Sequence, residues 1–160
     1  LVDAVSDMEG VAVFNLYELS QEIAFNIDEW SKIISDASAV IYQFPFYWMS
    51  APSLLKKWQD EVFTFLSKTP AVAGKPLTVV TTTGSEYEAY RSGGRNRFTT
   101  DELLRPYQVT AIHSGMSWQT PIVVYGMGTA DAGKNIAEGA NLYKQRVEML
   151  IGSSNAGNNW

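Results

Sequence analysis

The stretch Gln43-Phe44-Pro45-Phe46-Tyr47-Trp48-Met49-Ser50 crowds aromatic rings and a methionine into one short segment. Lying after a buried strand and before a helix, such a loop can wall a flat heteroaromatic ligand while its backbone amides bond the ligand's edge. The same residue types equally describe core or subunit-interface packing. A second stretch, Thr81-Thr82-Thr83-Gly84-Ser85, puts small hydroxyl residues and a glycine at a strand end, where a backbone can approach a ligand closely. Taken alone it is also a plain strand exit. Arg91, Arg95 and Arg97, with Gly93 and Gly94, supply guanidinium groups suited to phosphates, or form a solvated loop. His113 falls in a helical pattern beside Ile112 and reads as structural rather than as a general base. Asp60 and Glu61 read as a solvated face, so paired carboxylates for hydrolysis are not evident. Neither a P-loop nor a G-x-G-x-x-G occurs, which leaves triphosphate and Rossmann readings without a motif.

The elements that must position these residues follow from hydrophobic pattern and punctuation. Residues 1–8 read as a helix end stopped at Gly10. Val11 to Leu16 reads as a strand, and Asp28 as the cap of a short helix bearing Trp30, Ile33 and Ile34. Ala39 to Phe44 and Leu77 to Thr81 are apolar runs of strand length, the kind buried on both faces of a parallel sheet. Ser50 can cap the next helix, with Pro52 in its first turn. Thr99 and Glu102 form a possible capping box, and Pro106 must disturb the helix that follows. Pro121 to Tyr125 reads as the last strand. Thr129 then caps a long helix carrying Ile136, Ala140, Tyr143, Val147 and Leu150, which Gly152 stops. Alternating strands and helices imply a parallel sheet with helices on both faces, and ligands beyond the carboxyl ends of its strands.

Composition narrows the function classes. A chain of 160 residues suits one domain, here 1–151, with 152–160 reading as a flexible tail. The formal charge of -5 argues against nucleic acid as a partner. Without cysteine and with a single histidine, no disulfide scaffold, thiolate metal site or multi-histidine metal site is expected. No signal peptide or membrane-length apolar run is visible, so the expected location is cytoplasmic.

Gln43 to Pro52, followed by Leu54-Leu55-Lys56-Lys57-Trp58-Gln59-Asp60-Glu61-Val62, resembles the flavodoxin-like family of NAD(P)H:quinone oxidoreductases. Leu77 to Gly84 is similar to that family's Thr-Thr-Gly-Gly loop, and Asp101 to Tyr107 also matches. The similarity runs from about residue 9 to 150. It implies a three-layer α/β/α sandwich and a bound flavin, FMN ahead of FAD, reduced by NAD(P)H and reoxidised by a quinone. Pro45, Phe46, Tyr47, Trp48 and Met49 would hold one part of the flavin ring and Thr82, Thr83, Gly84 and Ser85 another. Tyr90 matches a catalytic tyrosine of the family. A homodimer with the site at its interface is implied, as are two alternatives: azo- or nitroreduction, or service as a non-catalytic flavin-binding subunit of a membrane transporter. Arg95 or Asn96 stands where some relatives have histidine, and Ser85 where the loop's second glycine would be. The family begins with a strand and a phosphate-binding loop, whereas this sequence begins in the helix expected after them. The first strand is therefore expected to be missing from this chain, which reads as a fragment of a longer one.

Overall fold

The computed structural model describes residues 1–19 and 24–156, without the side chains of 19 and 154–156. Its sheet is built on the two apolar runs. β1 (Val40–Pro45) and β2 (Pro76–Thr82) pair in parallel, from Val40 opposite Leu77 to Pro45 opposite Thr82. The other edge of β2 takes a last strand in two pieces. β3 (Ser117–Trp118) lies beside Pro76 and Leu77, and β4 (Ile122–Val124) lies beside Val80 to Thr82. Between the pieces, the Thr120 carbonyl accepts from the Thr78 hydroxyl at 3.1 Å and from the Arg146 guanidinium at 2.7 Å.

Every residue from Leu77 to Thr81 is buried, as a central strand covered on both faces requires. Alternation sorts the side chains. Tyr42, Phe44, Leu77 and Val79 join one apolar cluster, and Val80 joins another with Ile122. The first face is covered by α2 (Ile27–Asp36), α3 (Ser53–Trp58) and α6 (Arg105–His113), through Trp30, Ile34, Leu55, Trp58, Tyr107 and Ala111. A wide turn with π-type bonding (Gln59–Phe63) carries α3 on into α4 (Thr64–Leu66). The second face is covered by α7 (Ala132–Ala156), through Tyr143 and Val147, and by Val5 of the N-terminal segment. The result is the expected three-layer α/β/α arrangement.

Several local expectations hold. In the Thr99 capping box, the Glu102 amide donates to Thr99 Oγ1 at 3.2 Å and the Thr99 amide to Glu102 Oε2 at 2.8 Å. It opens α5 (Thr100–Leu103), and the helix then breaks at Leu104 so that Pro106 sits in the first turn of α6, where its missing N–H costs little.

Other expectations are corrected. Val11 to Asn15 joins no ladder, and α1 (Leu16–Leu19) follows directly. Strand propensity there finds no partner strand among the described residues, and an unpaired strand has no ladder to stabilise it. Asn26, not Asp28, caps α2; its side chain accepts from the amides of Asp28 at 3.1 Å and Glu29 at 3.2 Å. The cap position of α3 is Pro52 rather than Ser50, because Ser50 is used in a tight turn. The Thr129 hydroxyl donates to the Gly126 carbonyl at 2.8 Å, and α7 starts three residues later at Ala132. Gly152 does not stop α7, which runs to Ala156; one glycine costs a helix only about 1 kcal/mol. The remainder of the expected tail, 157–160, lies outside the described residues.

Candidate functional site

Parallel pairing brings both loops to one end of the sheet. Pro45 stands opposite Thr82, the Phe46 amide donates to the Thr82 carbonyl at 2.9 Å, and the buried Thr81 hydroxyl donates to the Phe44 carbonyl at 2.7 Å. Segments 45–50 and 82–85 therefore leave the strands side by side. At the far end of the first loop, the Ala51 amide donates to the Tyr107 hydroxyl at 3.2 Å and fixes its exit.

The aromatic loop divides in two. Phe46 turns inward, buried, with its ring centroid 6.2 Å from that of Tyr90. Tyr47 and Ser50 exchange both backbone bonds, at 2.9 and 3.0 Å, and so close a two-residue turn. Its central residues, Trp48 and Met49, have φ of 48° and 63°. Two left-handed residues make a type I′ turn, a place normally given to Asn and Gly. An L side chain there costs roughly 1–2 kcal/mol per residue. Trp48 is 97% exposed, so its burial within this chain does not offset that cost. Tyr47 and Met49 are exposed beside it. Bulky apolar groups held outward on strained backbone mark a place where a ligand or partner is met.

The second loop is held from behind. Thr83 is buried; its amide donates to the Val124 carbonyl at 2.8 Å and its hydroxyl to the Ser85 carbonyl at 2.8 Å. The Gly126 amide donates to the Ser85 carbonyl at 2.8 Å, Met127 to Thr83 at 2.9 Å and Gly128 to Gly84 at 2.9 Å. A Cβ on Gly128 would lie 3.0 Å from the Gly84 oxygen, so the close approach depends on glycine there. These bonds engage the carbonyls of 83–85. The amides of Gly84 and Ser85, like those of Trp48 and Met49, have no partner among the described residues. The turn at 126–128 escaped the sequence reading, although Gly-Met-Gly directly after a strand was a usable signal.

Tyr90 lies buried behind the loops, between Phe46 and Tyr125, whose ring centroid is 5.9 Å away. The Tyr125 hydroxyl is 2.6 Å from Thr100 Oγ1; burial pushes its pKa up, partly countered by that bond. Tyr87 meets Tyr125 edge-on at 5.3 Å. A cavity of about 480 Å³ lined by Tyr87, Tyr90, Tyr125, Leu142 and Arg146 includes no residue of either loop, so it adjoins the site only through Tyr90. Arg95 reaches across from its own loop to donate to Ser85 Oγ. His113 is exposed at the end of α6, on a groove with Lys56 and Asp60, away from every other candidate. The structure thus joins Tyr47, Trp48, Met49, Thr82, Gly84 and Ser85 at one surface, backed by Phe46, Thr83 and Tyr90. Unpartnered amides on exposed loops beside aromatic side chains suit the polar edge and flat faces of a ring system.

Comparison with known proteins agrees with the fold. Residues 1–147 match a family described as having a flavodoxin-like fold. General stress protein 14 of Bacillus subtilis is 35% identical over 92% of this chain and 86% of its own length. The glutathione-regulated potassium-efflux system ancillary protein KefG of Serratia proteamaculans is 36% identical over 78% and 70%. The uncharacterised NAD(P)H oxidoreductase YdeQ of B. subtilis is 33% identical over 92% and 77%. Among solved structures, a thermophilic tryptophan halogenase from Streptomycin violaceusniger superposes with TM-score 0.84 at 35% identity, covering 91% of this chain and 87% of that one. General stress protein 14 of Treponema denticola, in complex with FMN, gives 0.83 at 27%, covering 92% and 87%. An NADPH-quinone reductase from P. pentosaceus gives 0.72 at 26%, covering 88% and 84%. Among the described residues no helix is long and apolar enough to cross a membrane. With the family matched over nearly its whole length, the chain belongs to the flavodoxin-like fold family.

Proposed function

We propose that the chain is a flavin-dependent NAD(P)H:quinone oxidoreductase, with FMN as its flavin, working in the cytoplasm as a homodimer. The observation that carries this reading is the left-handed Trp48–Met49 turn standing beside the Thr82–Ser85 loop, with four backbone amides between them unpartnered. The residues fit the ring portion of a flavin. Amides of Trp48, Met49, Gly84 and Ser85 can donate to its carbonyl and ring-nitrogen edge, and the Trp48 side chain can cover a face. The FMN bound to the T. denticola relative and the NAD(P)H oxidoreductase and quinone reductase names of two others support the same assignment.

Bound flavin supplies the two-electron chemistry, accepting hydride from NAD(P)H and passing two electrons with protons to a quinone. The chain's own residues hold and orient. The bonds from 126–128 fix the carbonyls of 83–85, which leaves the neighbouring amides free to face the ring. Tyr90, whose ring packs on Phe46, is proposed to donate a hydrogen bond from its hydroxyl as negative charge develops on the ring. Exposed Tyr47, Trp48 and Met49 supply the apolar surface that a second protomer or an acceptor ring would cover.

An absorbance spectrum of the purified chain tests this reading, taken with added FMN, then NADPH, then a quinone. A flavin band that bleaches with NADPH and returns with quinone is expected; absence of any bound flavin would overturn the assignment. A second reading, a flavin-binding ancillary subunit of a membrane transporter, is favoured by the similarity to KefG. It requires bound flavin without fast NAD(P)H oxidation.

A further inference from the structure

Arg91, Arg95 and Arg97 are not among the proposed ring contacts, yet they form the most concentrated positive charge in the sequence of a chain of net charge -5. All three are exposed. Among the described residues none pairs with a carboxylate; the ion pairs there are Lys56–Asp60, Lys57–Glu61 and Lys134–Glu138. Glu86 and Glu88 stand nearby in sequence but do not reach these guanidinium groups.

The loop that carries them is held by specific bonds. The Gly94 amide donates to the Arg91 carbonyl at 2.9 Å, Asn96 to Ala89 at 2.9 Å and Arg97 to Gly94 at 3.0 Å. At Gly94 the chain presses so closely on residues 88–89 that a Cβ would lie 2.2 Å from the Glu88 oxygen. Arg97 is held at φ 64°. Arg91 lies 5.5 Å over the Tyr87 ring, and Arg95 is tied to Ser85 at the rim of the ring-binding surface. A braced loop thus carries three exposed guanidinium groups unpaired with carboxylates among the described residues, one bonded to Ser85 at the rim of the proposed redox site and another over Tyr87. Such forks match phosphate oxygens in geometry and charge.

We propose that Arg91, Arg95 and Arg97 read the 2′-phosphate of the dinucleotide reductant, so that NADPH is preferred to NADH. This rests on the reading that a nicotinamide dinucleotide donates hydride at this site. The 2′-phosphate is the only group that distinguishes the two dinucleotides, and it is doubly anionic near neutral pH. Lys56 and Lys57, on the helix that follows the aromatic loop, already face Asp60 and Glu61.

Calorimetric titration of the whole chain with 2′,5′-ADP and with 5′-AMP tests the site without requiring flavin or hydride transfer. Binding of 2′,5′-ADP should be tighter by about tenfold or more, the scale of one or two charge-assisted hydrogen bonds. In the variant Arg91→Gln, Arg97→Gly, which leaves the Arg95–Ser85 bond in place, most of that preference should vanish; glycine at 97 retains the left-handed backbone, and a melting curve checks the fold. With flavin loaded, the variant's kcat/KM for NADPH should fall by about tenfold or more while that for NADH stays within about twofold. Equal affinity of the native chain for the two nucleotides, or equal losses with both reductants, would overturn the proposal. Selective 2′,5′-ADP binding by a chain whose flavin NADPH fails to bleach would uphold the phosphate site and sink the functional reading instead.

Discussion

Replacing Trp48 by glycine should move stability and flavin affinity in opposite directions. Trp48 is 97% exposed, so the change removes almost no buried area from this chain. Its φ of 48° carries a cost of roughly 1–2 kcal/mol that glycine escapes. Against that, glycine loosens the unfolded chain by about 0.5–1 kcal/mol. The net is a fold unchanged or stabilised by up to about 1.5 kcal/mol, a shift of up to roughly 0.5–1 M in a urea midpoint. An aromatic face over a heteroaromatic ring is worth about 1–3 kcal/mol, so the FMN dissociation constant should rise roughly five- to hundredfold. Urea denaturation of the flavin-free chain and fluorescence titration with FMN read the two quantities separately. An unfolding free energy that drops by more than about 1 kcal/mol while FMN affinity holds would show Trp48 to be a packing residue and remove it from the site.

Tyr90→Phe keeps the ring between Phe46 and Tyr125, so stability should change by less than about 0.5 kcal/mol while reduction of bound flavin slows in stopped flow; an unchanged rate removes the hydroxyl from the mechanism. Gly128→Ala places a Cβ 3.0 Å from the Gly84 oxygen and should push loop 82–85 outward, weakening flavin binding in a titration more than it lowers the melting temperature. Lys75 donates to the Ile34 and Ser35 carbonyls at 2.7 and 2.8 Å, so Lys75→Met should cost about 1–2 kcal/mol in denaturation by freeing the last carbonyls of α2. Bonds from the Thr99 amide and hydroxyl hold the Glu102 carboxyl below its ordinary pKa. Its stabilisation is therefore present above the unfolded value and lost as pH falls through the folded one. The melting-temperature gap between native protein and Glu102→Gln should narrow from about pH 5 to about pH 3, and a constant gap would refute this.

The sheet and its loops were readable because their signals are local. Apolar runs at 39–44 and 77–81 have no polar face to confuse with a surface helix, and Thr99, Glu102 and Pro106 each act on the adjoining turn. Val11 to Leu16 misled because a strand's stability resides in its neighbour, which side-chain pattern alone does not show. The aromatic run at 44–48 gave the site's place but not its inside and outside. Phe46 is buried and Trp48 exposed because Trp48 is itself the first of the two left-handed residues on which the chain reverses, and neither Trp nor Met advertises such a turn. The reach of Arg95 to Ser85 spans ten residues of loop whose path depends on the close approach at Gly94, a tertiary fact with only a glycine as its trace.

The two-piece last strand also bears on self-assembly. An exposed sheet edge invites foreign strands when it offers a long, regular row of amides and carbonyls. At β4 that row is three residues long, and Pro121 just before it has no amide hydrogen to give. The Thr120 carbonyl, one residue further back, already serves Thr78 and Arg146. Fibril-like accretion on this side is thereby offered only a short template among the described residues.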